Sequence, residues 1–146
     1  MIAIHNDRSK HLFHFLWIDY CTDKNIPFKL VNCYDSDIIE QLRGCSCLMW
    51  HYNQSSSIDI VMAKSLLFSL EQSGMKVFPD YNTAWHFDDK VGQKYLLEGL
   101  QVDLVKTWTF YDASTALKWI DQVAFPKVFK LRGGAGSQNV RLVHSK

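Results

Sequence analysis

The sequence has no apolar run approaching the ~20 residues that a membrane-spanning helix needs. It also lacks a charge imbalance: 16 Lys and Arg stand against 15 Asp and Glu, a formal net charge of +1. Such a chain exerts no general pull on DNA, RNA or an anionic bilayer, so neither nucleic acid nor membrane is an expected partner. The opening "MIAIHNDRSKHLFHFLW" has charged and His residues where a secretory signal needs an unbroken apolar stretch, and a cytoplasmic location is expected. Cysteine is sparse. Cys21, Cys33, Cys45 and Cys47 would permit two disulfides, but the chain is neither short nor cysteine-dense, and free thiols are expected. No internal repeat and no low-complexity tract appears. What the sequence does have is 47% hydrophobic and 14% aromatic residues in 146. That is enough for a packed core in one domain, or in a small domain plus part of a second.

The first eighty residues alternate between two periods. Short apolar runs at 2–5, 26–33, 47–52 and 75–80 read as strands. Segments 9–24, 36–44 and 56–74 read as helices, the last two ending on Gly44 and Gly74. In 9–24, Leu12, Phe13, Leu16 and Tyr20 fall at helical spacing, with Ser9 as N-cap. The βαβαβαβ order predicts a parallel sheet covered by helices on both sides. After Pro79 the pattern changes, and a domain boundary is expected near residue 80. A polar, aromatic loop from 81 leads to a helix from about Asp88 to Val102. A strand over 104–111, a helix over 112–124 capped by Asp112, and strands at 127–131 and 139–143 complete the chain.

The last two strands flank "RGGAGSQ". A glycine-rich turn lets several backbone N–H groups point at one anion, because glycine tolerates the backbone angles and has no side chain to block approach. Gly133, Gly134, Ala135, Gly136 and Ser137 suit that task, and Lys130 on the preceding strand supplies a neutralising ammonium. No Gly-Lys-Ser/Thr follows, so this is not a P-loop. The turn precedes a strand rather than a helix, so it is not a dinucleotide fingerprint. A plain hairpin turn beside an incidental lysine remains the alternative. Lys90 supplies a second cation in the first turn of a helix, where free N–H groups and the macrodipole favour an anion. A lysine there works against the dipole, and a bound polyphosphate would offset it. A solvated lysine beside two aspartates is the plainer reading.

Taken in order, Asp89-Lys90, "YLLEGLQVDLVKTW" and "FPKVFKLRGGAGSQNV" resemble the first half of an ATP-grasp domain. Leu96 and Thr107 fit its second element, and Pro126, Val128, Lys130, Gly133, Gly134, Gly136 and Val140 its third. Lys106 stands where many members carry proline, and Asn139 where many carry glycine. Residues 1–80 resemble the Rossmann-like domain that precedes such a core. The resemblance therefore implies an α/β chain: a Rossmann-like parallel sheet (1–80), then an incomplete α+β ATP-grasp subdomain (81–146). It implies that Lys90 and Lys130 contact the α/β-phosphates of ATP, and that Gly133–Ser137 folds over the β/γ-phosphates. It also implies a ligase that activates a small carboxylate as an acyl phosphate and passes it to a nucleophile, with Mg²⁺ as helper. The family's metal-binding Glu and Glu-x-Asn lie beyond the glycine loop. No Glu-x-Asn occurs here, so no metal ligand is assigned, and the chain reads as truncated and inactive alone. A core cut at this point leaves sheet and apolar surface uncovered, and a homo-oligomer is the expected consequence.

Other constellations carry less. Cys45-x-Cys47 with Cys33 and His51 lacks zinc-knuckle spacing, and core thiols explain it better. His11 and His14 read as partly exposed surface histidines. Most of Trp50, Tyr52, Phe87, Trp108, Phe110 and Trp119 read as core, while Trp85 and His86 lead towards Lys90 and would border the ligand cleft. The competing function is a non-catalytic α/β binding or interaction module, in which the glycine-rich segment is only a turn.

Overall fold

The alternation of short apolar runs with helical segments folds into parallel strands with helical crossovers. The structure, a computed structural model, describes residues 1–6, 13–54, 56–134, 136–137 and 139–146. The chain divides into two compact units, Met1–Trp85 and His86–Lys146.

In the first unit the strands are β1 (Ile2–His5), β2 (Phe28–Val31), β3 (Cys47–Met49) and β4 (Lys76–Phe78), joined by helices α1 (Phe13–Asp23), α2 (Ile38–Gln41) and α3 (Ser57–Gln72). The sheet order is β2-β1-β3-β4, and every pair is parallel. The two central strands contribute Ala3, Ile4 and Leu48, all without exposed surface, as strands covered on both faces must. From α3, Ala63, Leu67 and Leu70 join the core with Trp50 and Leu42. Their i, i+4, i+7 spacing sets them on one helix face, and burying each leucine contributes about 1.5–3 kcal/mol. The Ser56 hydroxyl caps α3 by accepting the Asp59 N–H at 3.2 Å. Gly74, at φ +84°, ends the helix as expected, with the Met75 N–H returning to the Leu70 carbonyl at 3.0 Å.

Several expectations need correction. In α1 the buried residues are His14 and Cys21, whereas Phe13, Leu16 and Tyr20 are half or more exposed. The segment is apolar nearly all round, so its periodicity did not select a face. His14, expected near the surface, is buried. Ser9, His11 and Leu12 lie outside the described residues. Cys21 and Cys33 are buried, but Cys45 and Cys47 are only half-buried. The expected loop from 81 begins with a four-residue helix, α4 (Tyr81–Ala84). Asp80 caps it by accepting the Thr83 N–H at 3.0 Å, and a single turn is too short to show a period.

The second unit holds α5 (Lys90–Gly99), α6 (Ala113–Ile120) and a hairpin of β5 (Lys127–Lys130) with β6 (Val140–Val143). The two strands pair antiparallel, from Lys127 opposite Val143 to Lys130 opposite Val140. Residues 104–111 do not form the expected strand. A strand exists through its ladder partner as much as through its own sequence, and β5 and β6 pair only with each other among the described residues. The segment is held by rings instead: Trp108 and Phe110 lie 5.0 and 5.2 Å from Trp119 of α6. Lys106 places its ammonium 5.2 Å over the Trp108 ring. Trp108 and Phe87 are exposed rather than core. Among the described residues of this unit, no hydrophobic side chain is fully buried.

Candidate phosphate site

The site is built where the start of α5 meets the turn between β5 and β6, all within the second unit. Asp89 is the N-cap of α5. One of its oxygens accepts the N–H groups of Val91 at 3.2 Å and Gly92 at 2.9 Å. The N–H of Lys90 donates to the Arg132 carbonyl at 3.0 Å. The helix N–H groups that sequence reasoning left free for an anion are therefore already satisfied by the protein. An anion at this place would have to meet side chains and the turn rather than the start of the helix.

Arg132 returns the contact. Its Nε and Nη2 donate to the two oxygens of Asp89 at 3.0 and 2.6 Å, a two-pronged pairing that fixes orientation as well as distance. The Asp89 side chain is 9% exposed and that of Arg132 67%, so the pair is half in water. The hydrogen bond and charge of Asp89 hold the guanidinium above its already high ordinary value.

Lys90 and the glycine loop converge. The Lys90 ammonium donates to the Gly134 carbonyl at 3.1 Å and lies 3.4 Å from the Asp88 carboxylate. The Gly134 N–H donates to the other Asp88 oxygen at 2.8 Å. The offset that a lysine needs in a first helical turn thus comes from Asp88 and a loop carbonyl. The turn is closed by the Leu131 N–H donating to the Asn139 carbonyl at 3.0 Å. Gly134, Gly136, Ser137 and Asn139 all have positive φ. Asparagine tolerates that region, which accounts for Asn139 at a position where glycine would serve. A Cβ added at Gly133 or Gly136 would meet nothing within 4 Å, so this side of the turn is open.

Of the expected site residues, Lys90 and Gly134 are in contact. Gly133, Gly136 and Ser137 belong to the same turn, and Lys130 is exposed at the end of β5. Ala135 lies outside the described residues. Trp85 and His86 are half-buried, and the His86 carbonyl accepts the Asp89 N–H at 3.1 Å. Sequence reasoning missed the structural work of Asp88, Asp89 and Arg132. The Asp-Asp-Lys run was the available signal, since two carboxylates before a helix mean one can cap and one is left for another partner.

The cations and the turn N–H are already partnered within the protein, Lys90 by Asp88 and the Gly134 carbonyl, and the Gly134 N–H by Asp88. Asp88 and Asp89 are committed to N–H groups and cations, and no cluster of three or more potential metal ligands occurs among the described residues.

No family model and no curated protein matches the sequence. Solved structures do match. One is a RimK domain protein ATP-grasp from Sphaerobacter thermophilus DSM 20745, at 16% identity and a TM-score of 0.70, over 99% of this chain and 53% of that one. Another is N5-carboxyaminoimidazole ribonucleotide synthetase from Thermotoga maritima, at 19% identity and a TM-score of 0.62, over 99% of this chain and 41% of that one. The chain has the fold of an ATP-grasp protein over the part it spans, an α/β fold with a parallel sheet followed by a small antiparallel one. It spans about half the length of the structures it matches.

Proposed function

We propose that the second unit holds the polyphosphate of ATP, as part of a ligase that activates a carboxylate as an acyl phosphate and joins it to a nucleophile. The observation that carries this reading is the meeting of Lys90 with Gly134, residues 44 apart in sequence, at 3.1 Å. The resemblance to ATP-grasp domains implies phosphate contacts for both, and a lysine beside a glycine-rich turn suits that task. Lys130 and Lys90 would neutralise the phosphates, and Gly133, Gly134, Ala135, Gly136 and Ser137 would cover them with backbone N–H groups. The ATP-grasp fold supports the same reading. Catalysis by such residues is positioning and charge neutralisation.

The mutual satisfaction of Asp88, Asp89, Lys90 and Arg132 favours a second reading, in which the network only staples a turn to a helix in a binding module. Calorimetric titration of the chain with ATP and with adenosine separates the two. The phosphate reading expects ATP to bind and adenosine to bind far more weakly, because adenosine brings nothing for either lysine to meet. Equal affinity for both would leave the staple as the better account.

A further inference from the structure

The Asp88 carboxylate stands where an anionic ligand of this turn would stand. One oxygen accepts the Gly134 N–H at 2.8 Å, and the other lies 3.4 Å from the Lys90 ammonium. A glycine N–H and a lysine ammonium converging on one anion form the donor set with which proteins hold phosphate. Asp88 reaches this place at a backbone cost. Its φ is +56°, a left-handed conformation that few side chains other than Asn and Asp adopt. Its side chain is 13% exposed and that of Lys90 is 25% exposed, so the contact is partly withdrawn from water. A second anion cannot join these donors while the carboxylate holds them, because two like charges at that distance repel.

We propose that Asp88 is an internal phosphate mimic, which fills the anion position between Gly134 and Lys90 and must be displaced by the nucleotide. The proposal rests on the polyphosphate reading above and adds its regulation. Without ligand, Asp88 keeps the turn ordered against α5 and keeps Lys90 from meeting stray anions. With ATP, a phosphate oxygen takes over the Gly134 N–H and the ammonium, and the carboxylate swings to solvent. Affinity is then set by a difference between two anions rather than by the phosphate contacts alone.

The test is a calorimetric ATP titration of the wild-type chain, Asp88→Asn, Asp88→Gly and Lys130→Ala. Asparagine keeps the shape and tolerates the positive φ, and glycine meets no penalty there. Both Asp88 variants should bind ATP at least about threefold more tightly, the scale of a partly exposed ion pair. In the ligand-free Asp88→Gly chain the Gly134 amide proton should move upfield by NMR, having lost its carboxylate acceptor, and return downfield on adding ATP. If Lys130→Ala weakens binding while both Asp88 variants bind like wild type or more weakly, the site stands and the mimic is overturned. If none of the four chains binds ATP, the phosphate reading fails and the mimic fails with it.

Discussion

Asp89 serves two structural ends with one carboxylate. It caps α5 through the Val91 and Gly92 N–H groups and pairs with Arg132 across 43 residues of sequence. Replacing it by alanine is expected to lower stability by about 2 kcal/mol, from a lost cap and an unmet cationic partner. Asp89→Asn should lose less, because the amide oxygen still caps. Chemical denaturation midpoints measure both, and an unchanged midpoint in Asp89→Ala would contradict the geometry. Cys33 makes a second expectation. Burial, and next the charge of Asp35, push its thiol well above the ordinary value, so it should resist alkylation at neutral pH until the chain is unfolded. Rapid labelling of native Cys33 would count against its burial. At this scale the sequence disclosed residues whose chemistry is local. Lys90 beside a cap and glycines in a turn can be read from a few neighbours, whereas the Asp89–Arg132 pairing depends on where a distant turn comes to rest.

The helix α6 shows how a single element can be tested. Asp112 accepts the Thr115 N–H and hydroxyl, both at 2.8 Å, and the Ser114 hydroxyl at 2.6 Å. These bonds, led by that of Ser114, lower its carboxyl from 3.8 to about 2. A depressed carboxyl stabilises fully above its unfolded value, and that stabilisation fades as pH falls through the folded one. The thermal midpoint of Asp112→Ala should therefore lie below wild type at pH 6, and the gap should close between about pH 4 and pH 2. A gap that persists unchanged at pH 2 would mean that the cap does not act through its charge. Asp112 was legible because a cap is read from adjacent residues. So were the strands of the parallel sheet, whose apolar runs are bounded by Gly44 and Gly74. Residues 104–111 were not, because their apolar, β-branched character suits a strand but cannot supply the partner that makes one. The inward face of α1 was hidden for the opposite reason, an excess of apolar residues around the whole helix.

At the scale of the molecule the two units differ in kind. The first buries Leu48, Trp50 and Leu67 in a closed core, while the second exposes Val128, Phe129 and Leu142 on its hairpin by half or more. Uncovered apolar strands are where chains associate. The isolated chain is therefore expected to self-associate through residues 104–143, and light scattering at ~100 μM would contradict this by showing a monomer with no concentration dependence. Replacing Phe129 by a charged residue should weaken that association and leave the first unit's core intact. The fold class could be read from sequence because it follows from the order of elements, whereas the contact of Lys90 with Gly134 depends on how the hairpin turn comes to rest beside α5. If this second unit holds ATP by its phosphates, Lys130 must carry part of the charge neutralisation. Calorimetric titration of wild type and Lys130→Ala with ATP should show a loss of ~1.5–3 kcal/mol in the variant, the scale of a charged hydrogen bond. Equal affinity of the two proteins for ATP would contradict the claim.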